Sequence, residues 1–188
     1  MEIRILRYDS LPATWGSEMK SLIEQYREMH ESPKVFCGFT TKFVVRQVEE
    51  LIFETGAKTI LDYGSGKGLQ YRDRQVHLQW GGILPHCYDP GVIEFSVKPT
   101  NRFDGVICCD VLEHIPEEDI PTTLKEIFEF AEKFVVLAIF TGPARKILPD
   151  GRNAHVTQKP PSWWNEKIDQ ANLFGIPVKS QFRAGEEK

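Results

Sequence analysis

Lys58-Thr-Ile-Leu-Asp62-Tyr63-Gly64-Ser65-Gly66-Lys67-Gly68 is the stretch on which the reading of this chain turns. A short β-rich run ends in three glycines at alternate positions, the pattern of a strand that turns sharply at its end. Glycine lets the backbone adopt left-handed angles and approach a ligand with no Cβ in the way. A helix opening after Gly68 would aim its unpaired N–H groups at an anionic ligand. The spacing narrows the choice further. A dinucleotide fingerprint needs a glycine where Leu69 stands, and a P-loop needs Gly-Lys-Ser/Thr after four intervening residues, which is absent. Asp62 precedes the first glycine by two positions, and Asp89 closes the next strand candidate 21 positions after Gly68. A carboxylate in that place can accept hydrogen bonds from both hydroxyls of a ribose, and such charge-assisted bonds are stronger than neutral ones.

Working outward, Met19, Leu22, Ile23, Tyr26 and Met29 share one face of a helix expected over 17–31, which Ser32-Pro33 ends. A second helix over 43–53 carries Val44, Val48, Leu51 and Ile52 on one side and stops at Gly56. Strands are expected over 82–88, 103–109 and 134–140. The helix before the last of these opens near 115 and runs to about 133, with Pro116, Glu117, Glu118 and Asp119 suiting its first turn. Beyond Gly142 the pattern predicts a loop over 146–158, a helix over 161–173 with Ser162 as its cap, and a last strand over 176–182. Strands alternating with helices imply an α/β domain with a mostly parallel sheet and helices on both faces.

Three motifs together give this chain a family likeness: Thr59-Ile-Leu-Asp-Tyr-Gly-Ser-Gly-Lys-Gly68, Tyr88-Asp89-Pro90, and Phe103-Asp-Gly-Val-Ile-Cys-Cys-Asp-Val-Leu-Glu-His114. Over roughly residues 42 to 140 it resembles the class I S-adenosylmethionine-dependent methyltransferases, which have a Rossmann-like fold. The resemblance implies that Asp62, Tyr63, Gly64, Ser65, Gly66 and Gly68 form the loop under the methionine part of S-adenosyl-L-methionine, with Asp62 near its amino group. It implies that Asp89 and Pro90 hold the ribose, and that Asp110, Val111 and Leu112 lie beside the reactive centre. Glu113 and His114 would point toward a methyl acceptor. The product of the cofactor would be S-adenosyl-L-homocysteine. The chain then divides into an N-terminal helical cap (1–41), a cofactor-binding core (42–140) and an acceptor-side region (141–188), all within one domain. Only 13 residues separate Asp89 from Phe103. The family places a helix, a strand and another helix there, so the sheet is expected to lack or shorten its third strand.

His114 and His155 are the candidate catalytic bases, because an imidazole titrates near neutral pH. Each has a plainer alternative: His114 as a hydrogen-bonded structural residue, His155 as part of a polar loop. The three glycines also fit a plain tight turn, Asp89 a turn residue and Asp110 a helix cap. Tyr26, Met29 and His30 read as packing residues, or as a lid over the cofactor. One of Trp163 and Trp164 is expected in the core. Cys108 and Cys109 read as small core residues, and neither they nor Cys37 and Cys87 have zinc-ligand spacing, so no metal is expected.

The 188 residues suit a single core, 41% are hydrophobic and 27% charged. The net charge of −4 and the scattered lysines and arginines disfavour nucleic acid as a partner. No apolar run approaches the roughly 20 residues needed to span a bilayer, and the first residues lack a signal-peptide pattern, so a cytoplasmic enzyme acting on a small-molecule or sugar-like acceptor is the expectation. Two rivals stand beside it: an enzyme that keeps the cofactor site but cleaves S-adenosylmethionine, and a non-catalytic module that binds S-adenosylmethionine weakly or not at all and serves as a partner surface.

Overall fold

A computed structural model describes residues 20–36, 38 and 40–184. The sheet is built on β1 (Ile60–Tyr63), flanked by β2 (His86–Tyr88) and the central strand β3 (Phe103–Cys109); β4 (Ala131–Phe140) and β5 (Val178–Arg183) extend it. The order is β2-β1-β3-β4-β5, and every pairing is parallel. Alternation along the strands sorts side chains between two cores. Leu61, Val106, Cys108, Val135, Leu137 and Ile139 meet α4 (Ile120–Phe130) and α5 (Pro161–Ala171) on one face. Ile60, Ile107, Phe134, Val136 and Ala138 meet α2 (Val45–Thr55) and the turn around Trp80 on the other. The fold is therefore α/β and Rossmann-like, a fully parallel sheet flanked by helices on both faces.

Several boundaries move for identifiable reasons. The first helix is α1 (Leu22–Glu31), opened by a capping box between Ser21 and Glu24; Met19 lies outside the described residues, as does Cys37. Residues 82–85 do not join the ladder, and Pro85 has no N–H to offer one. β4 starts at Ala131 because its first residue pairs with Phe103, which overrides the helical tendency of Ala-Glu-Lys. Pro161 takes the first helical position of α5, so Ser162 falls inside the helix and does not cap it. The helix expected after Gly68 is a single turn, α3 (Leu69–Arg72), too short to build an appreciable dipole. Between Tyr88 and Phe103 there is one 3₁₀ turn, Ile93–Phe95, and no strand. β2 is consequently an edge of the sheet.

Trp164 is fully buried, and Trp163 packs edge-on against it beneath Lys159 and Lys167, away from the cleft described below. Cys108 is buried as expected, and Cys109 is half-buried. No described helix is long and apolar enough to cross a membrane.

At Gly105 of β3 the neighbouring strand β4 packs close, through Phe134. A Cβ built there would lie 2.2 Å from Cζ of the buried Phe134 ring. Gly105→Ala should destabilise the fold by roughly 1–3 kcal/mol through overpacking. Urea unfolding checks this, as a lower midpoint with an unchanged slope.

Candidate functional site

The strand order reverses between β1 and β3, and a cleft of about 1500 Å³ opens at the carboxyl ends of the strands there. Open parallel sheets bind ligands at such a point. Gly64 forms its floor with φ of +79°, and a Cβ there would sit 2.2 Å from Cγ2 of Val111. Both the angle and the space exclude any other residue. The N–H groups of Gly64 and Ser65 donate to Tyr88 O at 2.7 and 3.1 Å, which fixes the glycine turn to the end of β2.

Two carboxylates line this end of the cleft. Asp89 accepts from Gly66 N through Oδ2 and from Gly91 N through Oδ1, each at 2.8 Å. An ionised carboxylate takes about four hydrogen bonds, so each oxygen keeps capacity for a ligand donor. Asp62 is buried, and its Oδ2 accepts from Gln70 Nε2 at 2.8 Å and Tyr71 OH at 2.7 Å. Burial pushes its pKa up to about 6 against those two bonds. Gln70 and Tyr71 were not singled out from the sequence; their place on α3, one turn after the glycines, is the signal that was present.

α1 roofs the cleft and is latched on both sides. Lys67, within the glycine loop, donates to Ser32 O at 2.5 Å and Val35 O at 3.0 Å, and Arg27 donates to Pro90 O at 3.0 Å. Tyr26 OH donates to Ala154 O at 2.7 Å, and Gln25 Nε2 donates to Asp150 Oδ2 at 2.8 Å. His30 stands over the loop, its ring 3.3 Å from where a Gly91 Cβ would be, with Nδ1 buried and without a partner among the described residues. Burial lowers its pKa, and the charge of Asp89 works in the opposite direction. Of the two readings for Tyr26 and His30, the roof is where they lie; Met29 packs with Tyr26, Leu148 and Ala154.

The far end of the cleft brings His114 and His155 together, their ring centroids 4.9 Å apart and nearly perpendicular. His114 Nδ1 lies 2.7 Å from Ala154 O, and His155 Nδ1 lies 2.7 Å from Gly142 O. A carbonyl only accepts, so both Nδ1 atoms carry the proton and both Nε2 atoms carry a lone pair. Burial pushes the His114 pKa down to about 3, which makes it a poor base, whereas His155 is lowered by burial but partly compensated by its bond to Gly142 O. Asp110 has a positive φ of 54° and is ion-paired with Arg183, whose guanidinium lies over the rings of Phe43 (4.6 Å) and Phe140 (5.6 Å).

Of the sequence-expected residues, Asp62, Tyr63, Gly64, Ser65, Gly66, Asp89, Pro90, Asp110, Val111, His114 and His155 all line the cleft. The Tyr63 hydroxyl, however, is committed to Glu126 at 2.9 Å. Leu112 is turned into the core, and Gly68 abuts Phe95 behind the wall. Glu113, expected to face an acceptor, is wholly buried; its Oε1 accepts from Phe140 N at 3.0 Å and its Oε2 has no partner among the described residues. Phe36, Lys146 and Arg183 also line the cleft and come from segments with no recognisable motif. Among the described residues no group of three or more His, Cys, Asp or Glu side chains is arranged to hold a metal ion. The chain matches no known family model and no curated protein sequence.

Burial, with Asp110 adding to it, pushes the Glu113 pKa up to about 8 from an ordinary 4.5. The folded protein therefore holds a proton that the unfolded chain releases, so this group's contribution to stability falls as pH rises from about 4.5 through 8. Asp62 acts in the same sense at lower pH. Glu113→Gln should remove most of the alkaline part of that slope. Urea denaturation at pH 6 and pH 9 should show the variant gaining on the wild type by on the order of 1–3 kcal/mol at the higher pH. An identical pH dependence in both proteins would refute a protonated Glu113.

Proposed function

We propose that this protein is an S-adenosylmethionine-dependent methyltransferase acting on an oxygen or nitrogen nucleophile of a small molecule. The observation that carries the reading is Asp89, held by two backbone amides at the end of β2 beside a glycine floor that no side chain can occupy. A ribose diol suits the remaining capacity of that carboxylate. Asp62 offers Oδ1 to an ammonium group, since Oδ2 is taken by Gln70 and Tyr71. Pro90, Val111, Ile115 and Pro116 give an apolar wall for a planar base. The volume exceeds the roughly 300–1,000 Å³ of a typical ligand pocket, leaving room for an acceptor beside the cofactor.

S-adenosylmethionine would supply an electrophilic methyl group, whose bond to sulfur breaks with the electron pair staying on sulfur as the acceptor's bond to carbon forms. The work left to the chain is alignment, exclusion of water and removal of the acceptor's proton. The roof formed by α1 serves the second. His155 Nε2 serves the third better than His114, because a base must hold the proton it takes. With its pKa lowered, His155 stays unprotonated through neutral pH, and the rate should fall only as pH drops below the ordinary histidine range.

Calorimetry with S-adenosylmethionine and S-adenosylhomocysteine is the primary test. Binding in the micromolar range is expected, weakened about 100-fold in Asp89→Asn, which loses charge-assisted bonds to two hydroxyls. Absence of heat and of thermal stabilisation at millimolar ligand would overturn the reading. His155→Gln should leave S-adenosylhomocysteine affinity within about twofold while lowering turnover roughly 10²- to 10⁴-fold.

A further inference from the structure

The cleft has two electrically different ends. Asp62 and Asp89 line the end at the glycine loop, whereas Arg145 and Lys146 line the end beside the histidine pair. Of the other carboxylates in the wall, Asp110 is already paired with Arg183, and Asp119 stands beside Pro116 at the start of α4. The protein carries a net charge of −4, and cations such as Lys98, Lys133, Lys159 and Lys179 are matched with carboxylates. Arg145 and Lys146 have no such partner among the described residues.

Their position is built into the fold. They stand on a hairpin in which Ala154 N donates to Lys146 O at 3.0 Å and Leu148 N to Arg152 O at 2.8 Å. The Asn153 side chain clamps Ala144 through both its N–H and its carbonyl, each bond 2.9 Å long, and Tyr26 holds Ala154 O from the roof. Lys146 Nζ lies 5.2 Å above the Phe36 ring centroid, and Phe36 stands edge-on to His114 at 5.7 Å. The lysine charge is close enough to lower the proton affinity of both His114 and His155. A cation therefore sits over a flat apolar ring and next to two unprotonated imidazole nitrogens.

We infer that this end of the cleft takes a small molecule bearing an oxyanion, a carboxylate or a phosphate, with the charge on Lys146 and Arg145 and the body of the molecule against Phe36. That arrangement leaves a hydroxyl or amine of the same molecule within reach of His155. The role of this molecule as methyl acceptor rests on the function proposed above; the anion site itself does not. Charge-assisted bonds to carboxylate or phosphate oxygens are among the stronger polar contacts a surface cleft can offer.

The test uses the whole chain and three probes: benzoate, its neutral isostere benzamide, and inorganic phosphate. In ¹⁵N-labelled protein, benzoate should shift the amide signals of Ala154 and His155, with affinity roughly tenfold above that of benzamide. Arg145→Ala/Lys146→Ala should lose that preference, and Lys146→Glu should abolish benzoate binding; both sites are exposed, and thermal melting confirms folding. Displacement of benzoate by phosphate identifies the oxyanion itself as the recognised group, and failure of phosphate to displace it identifies a ring-borne carboxylate. Equal affinity for benzoate and benzamide, unchanged binding in the folded variants, or no binding of either anion would overturn the inference. S-adenosylhomocysteine titrated in parallel separates the two ideas: its binding without benzoate sinks only the anion site, and benzoate binding without it sinks only the methyltransferase reading.

Discussion

The contact between Gly64 and Val111 is the constraint on which the rest of the site depends. Parallel strands β1 and β3 end side by side, and the chain leaving each must pass within van der Waals reach of the other. Only a glycine with left-handed angles allows it. Once that turn is made, the amides of Gly64 and Ser65 reach Tyr88 O, the amide of Gly66 reaches Asp89, and the carboxylate is presented to the cleft and not to bulk water. The other end of the sheet is secured differently. There Asp104 accepts from the amides of Lys58 and Thr59 at 2.6 and 3.2 Å and pairs with Lys133, which fixes the register of β1 against β3.

α1 turns two neighbouring surfaces into one roofed cleft. Bonds from it and the residues just after it reach the glycine loop through Lys67, the β2 end through Pro90, and the hairpin at the histidine end of the cleft through Ala154 and Asp150. The neutral bond from Tyr26 contributes about 1 kcal/mol, and solvent screens the charge-assisted bonds of Lys67, Arg27 and Asp150. Because they join segments far apart in sequence, displacing the helix would open both ends of the cleft together. The aromatic series Tyr26, His30, Phe36 and His114 lies under this roof, with T-shaped or tilted contacts at 4.7 to 6.3 Å. Such edge-to-face packing is favourable and excludes water.

Burial sets the chemical character of the ionisable groups more than charge pairing does. The largest influence on Asp62, Glu113, His114 and His155 is desolvation, which favours the neutral form of each. The site accordingly contains neutral imidazoles and the compensated pair of Asp110 with Arg183, while Glu113, buried outside the cleft, is largely protonated at neutral pH. A low-charge interior of this kind makes the few exposed charges at its ends count for more, since little nearby opposes them.

Sequence alone carried the sheet and the glycine turn, because both rest on local chemistry: apolar runs of strand length, glycines where no Cβ fits, and acids at strand ends. That no strand lies between Asp89 and Phe103 was legible as well, since the 13 residues between them leave little room for one with its flanking helices. Helix and strand ends were less legible. At Ala131 pairing with Phe103 outweighs helical preference, and at Ser162 a neighbouring proline claims the first turn. Tertiary structure decided the far end of the cleft. Nothing local marks Phe36, Lys146 or Arg183 as neighbours of the histidines, because they come from the chain after α1, a hairpin and the last strand, and meet only when the sheet and roof close. Glu113 shows the same limit in reverse: next to a histidine in sequence, it is turned inward because the Phe140 amide at the end of β4 needs an acceptor there.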